Sequence, residues 1–183
     1  MNIASQKRKE NVAEYILFIW QLTDLLRTLQ FDAKKIEESL ITPLNLDSDK
    51  AAEELKWYVE MASIIEQEGK VEKGFLSITL YLIQELYEFH LRLLKEPSEE
   101  NYRMLVFNAT PAIVSFKEKV SEPLSNDIEY CFYALYSKLL MQLKGMSLSK
   151  ETSDSFIYIT NMIAYLSKRF GEYERGEYSL VEE

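Results

Sequence analysis

Phe75-Leu-Ser-Ile-Thr-Leu-Tyr-Leu-Ile-Gln-Glu-Leu-Tyr-Glu-Phe-His-Leu-Arg-Leu-Leu-Lys95 decides the architecture of this chain. On a helical wheel of about 100° per residue, Ser77, Gln84, Glu85, Glu88, Arg92 and Lys95 crowd into one narrow arc, and nearly every other position is hydrophobic. A helix that is apolar around most of its circumference has to be enclosed by other helices. Residues 75–95 are therefore expected to form the central helix of an all-α bundle.

Punctuation around this segment marks the other helices. Only five glycines and four prolines interrupt the 183 residues, and each falls where a helix should stop or bend. A first helix is predicted from Ala4 to Gln30, with Leu22, Leu25, Leu26 and Leu29 on one stripe. Asp32 caps a short second helix that Pro43 ends. Asp47 or Ser48 starts a third, stopped at Gly69. Beyond the central helix, Ser98 is expected to cap a fifth that bends or breaks at Thr110-Pro111. A sixth runs from Asn126 or Asp127 to Gly145, and Ser149 caps a seventh that ends at Gly171. The prediction is a single-domain bundle of about seven helices over residues 1–170, followed by an acidic tail over 171–183 that is disordered or loosely docked. Within that tail Gly-Glu-Tyr occurs twice, at Gly171 and at Gly176.

Charge and composition exclude several functions. A formal charge of −9 disfavours a nucleic-acid partner, because phosphate backbones are bound by Lys and Arg, and it disfavours an anionic membrane surface. Lys7-Arg8-Lys9 ahead of the apolar Tyr15–Trp20 superficially resembles a signal peptide. Glu14 and Gln21 interrupt that run, no small-residue cleavage site follows, and the stretch falls far short of the roughly 20 residues that span a bilayer. A single cysteine, Cys131, rules out an internal disulfide and suits a reducing compartment, so the chain is expected in the cytoplasm.

The candidate chemistry is sparse. His90 is the only histidine, which rules out both the paired Glu-x-x-His motifs of di-iron bundles and the two-histidine zinc motif. No cofactor or metal is expected. His90 lies on the apolar face of the central helix, as a core histidine or as a proton-transfer or ligand-orienting residue. Glu129 shares its face with Phe132, Tyr133, Tyr136 and Leu140, and Glu14 sits in the apolar half of the first helix. A carboxylate in such a place needs partners or a raised pKa. Glu14, Arg27, His90 and Glu129 are the candidate binding residues, since with neighbouring tyrosines they could line an interhelical pocket. They could equally be separate polar contacts at helix crossings. Tyr158 and Tyr165, at the edge of the last helix's apolar arc, could be covered by a partner.

The text Lys7-Arg8-Lys9-Glu10-Asn11-Val12-Ala13-Glu14-Tyr15-Ile16-Leu17, with Trp20-Gln21 and Asp24-Leu25, resembles the opening signature of a family of uncharacterised bacterial proteins of about this length. The likeness recurs at His90-Leu91-Arg92-Leu93-Leu94 and from Glu129 through Cys131-Phe132 to Ala134-Leu135-Tyr136. It implies a cytoplasmic helical protein of unknown activity, with no family cofactor or catalytic residues to carry over. The leading expectation is a non-enzymatic protein that associates with itself or with another protein. The alternative is a small-molecule binder or enzyme built on the interhelical pocket.

Overall fold

A computed structural model describes residues 3–180 of the chain. Among these residues the protein is all-α, with eight helices: α1 (Ile3–Glu10), α2 (Val12–Thr28), α3 (Ala33–Ile36), α4 (Ser48–Gln67), α5 (Ser77–Lys95), α6 (Glu100–Lys117), α7 (Asp127–Leu143) and α8 (Lys150–Glu174). A π-helical turn, Glu37–Ile41, and a 3-10 turn, Thr42–Leu44, follow α3.

Most helix starts carry a local side-chain cap. The carboxylates of Asp32 and Asp47 accept from the backbone N–H of Lys35 and Lys50 at 2.9 and 3.0 Å, and Ser149 Oγ accepts from Thr152 N–H at 3.2 Å. Each satisfies one of the backbone donors that the first turn leaves unpaired.

The core has two parts, and α2 belongs to both. Its Ile16 and Trp20 join α5, α6, α7 and α8 in the larger cluster. Its Ile19, Leu22 and Leu26 join Ile36, Ala62 and Ile65 in the smaller one. Helix α5 buries Leu82, Ile83, Leu86, Phe89 and Leu93 in the larger cluster, as its wheel predicts.

Four boundaries differ from the sequence reading, each for a definable reason. The predicted first helix is divided at Asn11, whose extended backbone (φ −158°) lets its side chain accept from Ala13 and Glu14 N–H and from Ser167 Oγ at 2.7 Å. Ser98 does not cap α6. Glu99 holds the cap position with no side-chain cap bond, because its carboxylate is engaged by α8. Pro111 does not break α6, which runs unbroken from Glu100 to Lys117. Proline has no N–H to offer the carbonyl four residues back, but here that carbonyl belongs to Phe107 and both residues are exposed, so water can serve it.

The last helix passes through Gly171 and ends three residues later. A glycine inside a helix costs about 1 kcal/mol against alanine, and contacts beyond it offset this. Tyr173 packs on Phe89 with ring centroids 5.2 Å apart and lies under the Arg92 guanidinium, while Glu174 receives two bonds from Arg8 at 2.9 and 2.6 Å. Gly176 takes the left-handed conformation that ends the helix (φ 72°). In the expected tail, residues 171–174 are thus helical and Leu180 is buried in the larger cluster. Residues 181–183 lie outside the described residues.

Candidate functional site

Each of the four residues proposed from sequence is committed to its own surroundings, and no hydrogen bond or ion pair joins any two of them. Glu14 is the clearest departure: its side chain is 62% exposed and its partner is Lys7 at 3.5 Å. An exposed pair of this kind contributes little stability. Arg27 donates through Nε and Nη2 to the carbonyl of Lys70 at 3.0 and 2.7 Å, through Nη2 to that of Gly74, and through Nη1 to Asp24 at 2.6 Å. It clamps the connector between α4 and α5 onto α2. Glu129 is buried at the start of α7, where Oε2 accepts from Ser125 N–H at 2.8 Å while its own N–H donates to Asn126 Oδ1 at 2.9 Å.

Glu14 and Glu129 share one local pattern. Each sits three residues after an asparagine N-cap, Asn11 and Asn126 respectively. That spacing is the signature of a capping box. Only Glu129 uses it, reaching back to Ser125 N–H, whereas the Asn11 N–H goes to the Lys7 carbonyl at 2.8 Å and the Glu14 carboxylate to Lys7 Nζ.

His90 is a core histidine. Its Nδ1 lies 2.6 Å from the Tyr102 hydroxyl, and it borders a cavity of about 40 Å³ lined also by Val106, Thr110, Val114 and Asp127. Burial lowers its pKa to about 4, against an opposing pull from Asp127. The folded protein thus holds the imidazole neutral, whereas the unfolded chain takes up a proton near the ordinary value of about 6.5. Stability due to this residue is intact above that value, falls as the pH drops from about 6.5, and levels off below about 4. The expected loss is on the order of 3 kcal/mol across the window. Urea unfolding of the wild type and of His90→Gln at a series of pH values checks this, since the variant should lack that part of the acid sensitivity.

A buried polar network that has no counterpart in the sequence reading joins α6 to α8. Glu99, only 1% exposed, accepts from the Tyr165 hydroxyl at 2.7 Å and pairs with Arg169 Nε at 3.0 Å. Arg169 also bonds Glu172 at 2.9 Å, and its guanidinium lies 4.8 Å from the ring centre of Tyr178. Tyr165 stacks on Tyr102, which connects the network to His90. The partners are more than sixty residues apart in sequence, so no local signal reveals them. Their effect is to fasten α8 and the segment beyond it.

The outward face of α6 is of a different kind. Met104, Phe107, Pro111 and Val114 recur at helical spacing along it and all are exposed, Phe107 to 74%. From Met104 to Phe116 the helix carries no charged residue. The sequence conceals this stripe because α6 also buries Tyr102, Ala109, Ala112 and Ile113, so apolar residues occupy both sides of its wheel. Tyr165, one of the two tyrosines considered for partner contact, is occupied by Glu99, while Tyr158 remains half-exposed.

A family model described as "Domain of unknown function (DUF4924)" matches residues 1–177. The chain belongs to this family. No curated protein and no solved structure matches it. The DUF4924 match runs through the whole of α8 and ends one residue before Tyr178. Among the described residues of this DUF4924 member no group of His, Cys, Asp and Glu is arranged to hold a metal ion, and no helix is long and apolar enough to cross a membrane.

Proposed function

We propose that this DUF4924 protein acts by associating with a second copy of itself, through the charge-free stripe of α6. The observation that carries the reading is the exposure of Met104, Phe107, Pro111 and Val114 on one helix face that lacks charge from Met104 to Phe116. In a two-fold contact, residues near the axis meet their own counterparts. A charge there would face its like, and two chains of −9 each already repel one another. The middle of α6 avoids that penalty. Glu100 and Glu118 lie one turn beyond the two ends of the stripe, where a crossing of about 50° carries paired helices apart. A partner that recognised this acidic protein by charge would find nothing to read on this face, which favours self-pairing. Cys131, a buried free thiol, is in keeping with the cytoplasm as the setting.

The strength follows from the side chains. Fully burying a Met, Phe or Val contributes about 1.5–3 kcal/mol, and two partly exposed sets bring a gross gain on the order of 10 kcal/mol. Association costs about 4–15 kcal/mol. A weak, concentration-dependent dimer is the expected result. In sedimentation equilibrium the average mass should climb from the 21.5 kDa of one chain towards twice that value as protein rises from low micromolar to millimolar. Phe107→Glu should stay monomeric throughout, while Leu44→Glu, at an exposed apolar position on another part of the surface, should behave as the wild type. A wild type that remains monomeric at every concentration, or a Phe107→Glu variant that dimerises normally, would overturn the reading.

A further inference from the structure

Between α2, α4 and α7 lies a cleft of about 380 Å³, walled by Phe18, Leu22, Leu25, Tyr58, Leu140 and Leu143. That volume falls in the range of small-molecule sites, about 300–1,000 Å³. It is separate from the α6 stripe and shares no residue with it. Gln21, Asp24 and Thr28 add a row of polar groups along one wall, at the i, i+3, i+7 spacing of one face of α2.

The chemistry of that row defines the head group. Asp24 is the only formally charged residue that lines the cleft. Its Oδ1 accepts from Arg27 at 2.6 Å and its Oδ2 from the Tyr136 hydroxyl at 2.5 Å. These bonds fix the carboxylate in place and leave part of each oxygen's accepting capacity open. Arg27 keeps only Nη1 on Asp24 and gives Nε and Nη2 to the carbonyls of Lys70 and Gly74, and it does not itself line the cleft. Thr28 spends its hydroxyl proton on the carbonyl of Asp24 at 2.9 Å, which leaves its oxygen an acceptor. The Gln21 amide, which also lines the cleft, can turn its oxygen to it as a third. A row of acceptors around one carboxylate suits a head group that only donates, and an ammonium has three donors and no acceptor.

We infer that this cleft binds a small amphipathic amine, with the ammonium on Asp24 and the apolar body against Phe18, Leu22, Leu25 and Leu140. A carboxylic acid of the same shape would set its charge against Asp24 and is excluded.

Phenylbutylamine, phenylbutanol and phenylbutyrate share one apolar body and differ in head group, so they separate the contributions. Titrated into isotopically labelled full-length protein and followed by backbone amide shifts, the amine should perturb residues of α2, α4 and α7 around the cleft. It should bind up to about fivefold tighter than the alcohol, the size of one half-exposed charge pair, and the acid should not bind. Asp24→Asn keeps one accepting oxygen for Arg27 and turns an amide N–H towards the Tyr136 hydroxyl oxygen, and should reduce the amine to the affinity of the alcohol. Leu25→Trp, at an exposed wall position, should abolish binding of both, with thermal unfolding confirming that each variant is folded. Equal binding of amine and acid, shifts that map elsewhere, or an amine affinity unchanged in folded Leu25→Trp would each overturn the assignment.

Discussion

Trp20→Ala is expected to remove about 4 kcal/mol of folding stability, within the 3–5 kcal/mol range for truncating a buried aromatic residue. Trp20 is fully buried, stacks on Phe75 with ring centroids 3.8 Å apart, and meets Phe132, Tyr133 and Tyr136 edge-on. Aromatic pairs in these geometries contribute beyond the area they bury. The indole N–H is satisfied as well, donating to Thr79 Oγ1 at 2.9 Å. The five rings come from α2, the connector before α5, and α7, so alanine opens a cavity that no single helix can close by shifting. Thr79→Val should cost less, about 1–3 kcal/mol, because it keeps the volume and strands the indole donor. Urea unfolding followed by far-UV circular dichroism ranks the two. Trp57, half-buried on α4, is the internal comparison. If Trp57→Ala proves as costly as Trp20→Ala, the ring cluster around Trp20 is not the main support of the bundle.

Arg169→Ala should be the second large effect, and larger than that of Glu99→Gln, although both variants break the same ion pair. Removing one partner of a buried pair typically costs 3–5 kcal/mol because the other charge is left uncompensated. The two partners differ in access to water. Glu99 is 1% exposed and would keep only the Tyr165 hydroxyl as donor, whereas Arg169 is 31% exposed and retains Glu172. About 3 kcal/mol is expected for Arg169→Ala and about 1–2 kcal/mol for Glu99→Gln. Arg169 also covers the Tyr178 ring, so its loss should release the segment after α8. Trypsin cleavage at Arg175 should accelerate in Arg169→Ala well before the bundle unfolds. Equal cost for the two variants, or unchanged cleavage, would mean that the pair does not fasten this segment.

What the sequence reveals here depends on how far apart the interacting groups lie. Asp32, Asp47, Asn126 and Ser149 are legible as caps because cap chemistry reaches only two or three residues along the chain. Asn11 carries the same signal, Asn-x-x-Glu, but it lies between two segments that both read as helix, and only the bond from Ser167 shows why the chain turns there. Gly171 reads as a stop because glycine usually is one. The contacts that override it, to Phe89, Arg92 and Arg8, come from helices far away in sequence.

The candidate site follows the same rule. His90 is recognisable as a core residue from its wheel position, yet its partner Tyr102 lies across a helix pair. Asp24 and Arg27 are visible as a local pair. That Arg27 turns its remaining donors to the connector, and so leaves Asp24 facing a cleft, requires the packing of α2 against residues 70–74. The α6 stripe is hidden for the opposite reason, since an apolar residue in a sequence does not declare which side of a helix is covered.

Pro111 imposes one more condition on whatever covers α6. The bare carbonyl of Phe107 can lean on solvent only while that face is wet, and burying it unbonded would cost about 1–3 kcal/mol. A purely greasy surface is therefore a poor fit, and a successful one has to carry a donor at the right height along the helix. Asn108 is exposed beside the proline and has two amide protons to give. In the self-pairing proposed above, an exposed amide such as that of Asn108 on the second copy is the kind of donor this carbonyl requires.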